Sequence, residues 1–347
     1  MYVPILKNWA SEVKALDTLL DKKVLPHREI LPFIKIVEED NSASGRTAYK
    51  NPALLSAMFG DSLLFVDYHR CNLEEYKQLD ISKLGRIREM SSSVSAYLAG
   101  LRNLAKYENF IPVLSIVRGI ENPSPSQVEH FIRNFKKTYP ERSLGLCIEE
   151  DIPELHQILK KNLGPKDFLF VDIGERPPRS RIVLYRKIGA LDSSIKKILL
   201  NSPRKRQVKN SDYEENALTK LIDNSARDLY SLHGFNGFGD YAGLRNDLKL
   251  NIKNGGLACA AVFLYDRLSN QFHVYMNPNS EDKVGGLGNL NPKIEDDLST
   301  LDPDSTCIAL AQFKEDQKAG KNGNFAIWVK RTVIRYIQQI AEWLDEQ

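Results

Sequence analysis

Residues 110–117, FIPVLSIV, and residues 143–148, SLGLCI, are two short apolar runs on either side of PSQVEHFIRNFKKTY at 125–139. The runs are β-rich and apolar at nearly every position, the pattern of parallel strands covered on both faces. The segment between them sets Val128, Phe131, Ile132 and Phe135 on one helical face, with Ser124 and Ser126 as candidate N-caps. Strand, helix and strand at this spacing make a βαβ unit, whose strands are parallel and whose crossover is right-handed.

Outward from this unit the pattern repeats. Residues 30–37 (ILPFIKIV), 62–68 (SLLFVDY), 167–173 (DFLFVDI) and 195–200 (IKKILL) read as further buried strands. Helical patterns fill 81–107, 152–163, 179–191 and 214–232. Two more runs, 237–244 and 257–265, bring the strands to eight. The reading is an α/β fold, a TIM-like (β/α)8 barrel over residues 1–268 with a small C-terminal α+β extension over 269–347. An open doubly wound sheet is the alternative, but no GxGxxG or GxxxxGK[ST] follows any of these strands, and GGLG at 285–288 reads as a loop.

In the extension, 257–266 also reads as an antiparallel partner of 271–277 across the turn RLSN. Residues 285–304 are loop-rich with one short helix. Residues 326–344 form an amphipathic helix, with Trp328, Val333, Ile337 and Ile340 facing the barrel.

Composition excludes whole classes. With 42% apolar and 27% charged residues the chain is neither disordered, collagenous nor a disulfide scaffold. Four cysteines form no CxxC pair, and Cys147 and Cys259 sit in apolar runs as buried thiols. The six histidines show no HExxH or other short ligand spacing. No run of ~18 apolar residues is present, so a cytoplasmic location without membrane contact is expected.

In a parallel barrel the strand C-termini surround one mouth. Those positions hold Glu38 and Glu39 after the first strand read here, Asp67, His69 and Arg70 after the second, and Arg118 after the third. Glu149, Glu150 and Asp151 follow the fourth, Asp172 and Glu175 the fifth, and Arg204 to Arg206 the sixth. Carboxylates, a histidine and arginines at one mouth suit phosphodiester chemistry: a cation such as Mg²⁺ between Asp67 and Asp172, with Glu38 or Glu149. His69 would act as acid or base, and Arg118 and Arg204 would hold phosphate. Strand ends are also where any chain turns polar, and Asp151 before Pro153 reads equally as a helix cap.

The net charge of +3 conceals a concentration. Residues 176–209 carry eleven Lys or Arg and one acid, Asp192, a local net of +10 that suits phosphate contact or a solvated face. Residues 233–241, HGFNGFGDY, put three glycines and three aromatic rings around Asp240. They read either as a ligand holder, using Phe235, Tyr241 and Asp240, or as a rigid strand entry.

YVPILK at 2–7, PFIKI at 32–36, VD at 66–67, VDIG at 171–174 and above all GFGDY at 237–241 resemble the beta-protein family, named for a T-even phage protein. AAVFLYD at 260–266 and FHVYMNP at 272–278 are similar to a bacterial branch of it encoded in defence islands. The resemblance implies a barrel, an antiphage defence setting, and a PD-(D/E)XK nuclease-like partner encoded nearby. It carries Asp67, Asp172, Gly239, Asp240 and Tyr241 as family-typical positions, and it implies no reaction. Family members commonly have a glutamate where this chain has Lys35, a charge reversal that favours an anion over a metal. The expectation is therefore a barrel subunit that binds a phage component or nucleic acid. Asp67, His69, Asp172 and Asp240 are its candidate catalytic residues. Lys35, Arg118, Arg204, Arg206 and Tyr241 are its candidate ligand- or phosphate-binding residues. The alternative is a metal-dependent phosphodiester or nucleotide hydrolase.

Overall fold

Eight strands close on themselves in the order β1 (Tyr2–Lys7), β2 (Phe33–Ile36), β3 (Leu64–Tyr68), β4 (Phe110–Ile116), β5 (Gly145–Ile148), β6 (Phe168–Asp172), β7 (Lys196–Leu200) and β9 (Gly237–Asp240). Every neighbouring pair is parallel. The computed structural model describes residues 1–25, 29–71, 85–191, 194–205, 208, 212–246, 248, 260–277, 287–321 and 323–347.

The barrel differs from the reading above in where it begins. Tyr2–Lys7 is its first strand, and residues 260–266 lie outside it. That run is β10 (Ala260–Asp266), which pairs antiparallel with β11 (Gln271–Asn277), as the RLSN turn predicted. β11 also pairs with the two-residue β8 (Ala217–Leu218), making a separate three-stranded sheet. A domain division at residue 268 runs through the turn of this hairpin. YVPILK carries the family resemblance but not the uninterrupted apolar signature of the other strands, because Pro4 stands inside it and Lys7 ends it.

Helices α1 (Ala10–Asp21), α2 (Pro52–Phe59), α3 (Gly85–Ser92), α4 (Val94–Leu104), α5 (Pro125–Thr138), α6 (Pro153–Asn162) and α7 (Ile182–Gly189) lie between barrel strands. α5 starts at a capping box, in which Ser124 Oγ accepts from Gln127 N and Gln127 Oε1 accepts from Ser124 N. The single helix expected over 81–107 breaks at Ser93, whose side chain accepts from Ala96 N and starts α4 afresh. The helix expected over 214–232 is replaced by β8 and the short α8 (Ser225–Leu229). Asp223 accepts from Ser225 N there, and Leu218 pairs with His273. Short helices α9 (Asn291–Asp296) and α10 (Leu298–Leu301) precede α11 (Ile308–Lys318) and the long α12 (Phe325–Asp345). α12 packs on both α1 and β10, joining barrel and extension.

Inside the barrel the strands' alternate residues make an aromatic floor. Phe65 lies edge-on to Phe168 and Phe170, with centroids 4.7 and 4.8 Å apart. Closure depends on the GFGDY segment. A Cβ on Gly237 would stand 2.5 Å from Met1 O, and one on Gly239 would stand 2.4 Å from Val3 O. Backbone at that distance has no rotamer by which to yield, so only glycine lets β9 meet β1.

Candidate functional site

Alternation carries the strands' inward positions from the apolar floor to polar residues at their C-terminal ends. On β2, Phe33 is followed two residues on by Lys35; on β3, Phe65 by Asp67; on β6, Phe170 by Asp172. These ends line a cavity of about 360 Å³ with His69, Arg70, Arg118, Glu149, Tyr241 and Asn246 also on its wall. Lys35, Asp67, His69, Arg118, Asp172 and Tyr241 are thus brought together, as the barrel reading requires.

Asp67 is fully buried and its oxygens are committed. Tyr97 Oη donates to Oδ1 at 2.8 Å, while Ser115 Oγ and Lys35 Nζ donate to Oδ2 at 2.5 and 2.9 Å. Tyr97 Oη in turn accepts from Ser115 N at 2.7 Å, and Lys35 Nζ also donates to Ser115 Oγ at 3.3 Å. Lys35 rests over the Phe33 ring, 4.3 Å from its centroid. Burial pulls the Lys35 pKa down, but the Asp67 carboxylate more than restores it, so the ammonium is held above its ordinary value. Two of its three N–H donors go to Asp67 and Ser115, which leaves the third for the cavity.

Across the mouth, Asp172 Oδ1 accepts from Gly174 N at 2.8 Å and Glu149 Oε2 accepts from Arg118 N at 3.1 Å. Burial raises both carboxyls, and the Asp172 charge raises Glu149 further. Burial likewise drives the Cys147 thiol well up, so this cysteine is an inert part of the floor. The Arg118 guanidinium is two-thirds exposed and lies 3.3 Å from Glu150. Arg70 is buried, stacked over Tyr97 and bonded to the carbonyls of Met90, Ser115 and Glu121, so it braces the loop after β4. Tyr241 presents its ring to Lys7 Nζ at 5.6 Å, and Lys7 also lies over Trp9.

A divalent cation does not fit the Asp67 position. An ammonium and the Ser115 hydroxyl already occupy Oδ2, and Oδ1 accepts from Tyr97, so a cation there would have to displace the Lys35 charge. Among the described residues no three His, Cys, Asp or Glu side chains are grouped so as to hold a metal ion.

Two residues expected at the site lie elsewhere. Asp240 faces outward, where Tyr2 Oη and Tyr336 Oη donate to its two oxygens at 2.8 and 2.6 Å and Ala242 N donates at 2.9 Å. It fastens β9 to β1 and α12. Strand alternation explains the difference: Tyr241 points inward, so Asp240 points out. Arg204 is also buried away from the cavity, donating to Gly243 O at 2.8 Å with its guanidinium 4.0 Å from the Phe263 centroid. It joins the loop after β7 to the extension sheet. Arg206 lies outside the described residues.

The basic stretch does not form one face. Lys197 is buried and donates to the Gly189 and Leu191 carbonyls at the end of α7. Lys196 lies over the Phe168 ring, and Lys187 faces Asp151 at 3.4 Å. Arg179, Arg186, Lys187 and Lys205 are the exposed cations of the stretch among the described residues.

Ser115 and Tyr97, which hold Asp67, and Lys7, which lies over Tyr241, support the site without lining the cavity and were not legible as such. Ser115 left a faint signal, the single polar residue inside an apolar strand. Tyr97 gave none, since an aromatic ring at helical spacing reads as core.

No family model matches the chain, and no curated protein matches it. A solved sugar phosphate isomerase/epimerase from Parabacteroides distasonis ATCC 8503 is similar over 73% of this chain and 92% of its own, at 8% identity and a TM-score of 0.33.

Proposed function

We propose that the protein is a ligand-gripping barrel subunit of an antiphage defence system. Its mouth takes hold of the phosphate-bearing part of a phage component or nucleic acid, and it acts with a PD-(D/E)XK nuclease-like partner. The defence setting and the partner come from the resemblance carried by GFGDY and the strands around it. The grip rests on one observation: the ammonium of Lys35, locked in place by Asp67 and Ser115, keeps a donor toward a cavity that Arg118 and His69 also line. A fixed, permanently charged donor in a half-enclosed cavity binds an anion more strongly than a solvated surface lysine does.

The test is fluorescence anisotropy with 5′-phosphorylated DNA and RNA oligonucleotides at 50 and 200 mM salt, for the unaltered chain and for Arg118→Glu. Arg118 is exposed enough to change without loss of fold. Binding that weakens with salt and falls at least tenfold in Arg118→Glu supports the reading. Absence of oligonucleotide binding at 50 mM salt overturns nucleic acid as the ligand, and binding indifferent to Arg118 overturns the part given to Arg118. Failure to co-purify with the product of a neighbouring nuclease-like gene overturns the partner.

A further inference from the structure

The two sides of the mouth present different groups to the cavity. β2 and β6 are four strands apart in a closed ring of eight, so Lys35 and Asp172 stand on opposite walls. Glu149 joins Asp172 on its wall. Ile148 pairs with Val171 in register, so Glu149 and Asp172 are the next residues on two adjacent strands, about 4.8 Å apart across the ladder. One wall is therefore the Lys35 ammonium paired with Asp67, and the other the carboxyls of Glu149 and Asp172, with the Cys147 thiol and phenylalanine rings as an apolar floor.

We propose that the mouth binds a small anion that also carries hydroxyl groups, a phosphorylated polyol. Lys35 holds the phosphate, and Glu149 with Asp172 takes the hydroxyls. This rests on the anion-gripping reading and adds the rest of the ligand.

Three observations carry it. The cavity, about 360 Å³, is at the small end of the range for ligand pockets, so it admits one sugar-phosphate unit or the terminal unit of a strand and excludes a duplex. Charge sorts the ligand's orientation, since Glu149 and Asp172 repel a phosphate while the Lys35 ammonium attracts it. A carboxyl pair in turn suits hydroxyls. A carboxyl raised by burial donates when protonated and accepts when ionised, and two of them side by side offer both roles, which is what vicinal hydroxyls require. Burial favours the protonated form of both carboxyls, and the Asp172 charge favours it further at Glu149, whereas Lys35 and Arg176 oppose it at both and the Gly174 and Arg118 N–H groups oppose it at Asp172 and Glu149 respectively.

A free sugar phosphate and the end of an RNA strand present the same chemistry, and calorimetric titration separates them. The unaltered chain is titrated with ribose 5-phosphate, ribose, inorganic phosphate and a 5′-phosphorylated RNA dinucleotide. Glu149→Gln and Asp172→Asn are titrated alongside, with circular dichroism to confirm their fold. At least tenfold tighter binding of ribose 5-phosphate than of inorganic phosphate is expected. That advantage should vanish in both variants while phosphate binding is kept or strengthened. A dinucleotide bound tenfold more tightly than ribose 5-phosphate assigns a strand end, and the reverse assigns a free sugar phosphate. Equal affinity for phosphate and ribose 5-phosphate, or no effect of either variant, overturns the hydroxyl assignment while the anion grip stands. Absence of binding by every phosphate compound overturns both.

Discussion

Replacing Asp67 with Asn tests whether the mouth is built on a fixed ion pair. The side chain keeps its shape but loses its charge and one acceptor. Oδ1 receives Tyr97 and Oδ2 receives both Ser115 and Lys35, so an amide NH2 on either side confronts a donor. The Lys35 ammonium would then face the cavity with no counter-charge bonded to it. Removing one partner of a buried pair costs ~3–5 kcal/mol. Lys35 retains 16% exposure and a cavity in which to rehydrate, which places the expected loss at the lower end, about 3 kcal/mol. Lys35→Met should cost about 2 kcal/mol, because Ser115 and Tyr97 still satisfy Asp67. The double variant should cost little more than Asp67→Asn alone, giving a coupling of about 2 kcal/mol in a double-mutant cycle read by urea unfolding. The Lys35 pKa is raised on folding, so its stabilisation is complete below its ordinary value of 10.5 and is lost as pH climbs through the raised value. The difference between the unaltered chain and Lys35→Met should therefore be flat from neutral pH to about 9 and shrink above 10.5. Additivity of the two single changes within ~0.5 kcal/mol would refute the fixed pair.

Gly239→Ala places a methyl 2.4 Å from Val3 O, and it should cost more than about 4 kcal/mol or abolish soluble expression. Gly164→Ala, with nothing within 4 Å of the new Cβ, should leave the thermal midpoint almost unmoved in the same scan. Lys197→Met should lower stability by about 2 kcal/mol, by freeing the Gly189 and Leu191 carbonyls, with oligonucleotide affinity unchanged by anisotropy. A weakened oligonucleotide complex would instead put Lys197 at a binding surface.

The barrel was legible because parallel strands buried on both faces are written as continuous apolar runs, and 110–117 and 167–173 carry that signature plainly. Its first strand was not, because Pro4 interrupts the apolar run of YVPILK and Lys7 ends it. The mouth was partly legible: Asp67 and Asp172 end apolar runs, so their polarity stands out. Which face a residue takes depends on register, however, and a one-residue step separates Tyr241 in the cavity from Asp240 outside it. Charge density along the chain does not translate into one surface, for a similar reason. Neighbours in sequence such as Lys196 and Lys197 point to opposite sides of a strand, so a dense run of cations is divided between the barrel interior, a helix end and solvent.

The Tyr2–Asp240–Tyr336 junction has a consequence in time. Asp240 is synthesised 238 residues after Tyr2, and Tyr336 another 96 residues later. At roughly 5–20 residues per second, YVPILK waits about 12–48 s for the strand that closes the ring. The phenol that completes the junction comes about 5–19 s after that. Throughout the first interval an apolar strand has an open edge on the nascent chain. Slowing translation after β7 should lengthen that exposure and raise the share of newly made chain held by chaperones, without altering any residue of the finished protein.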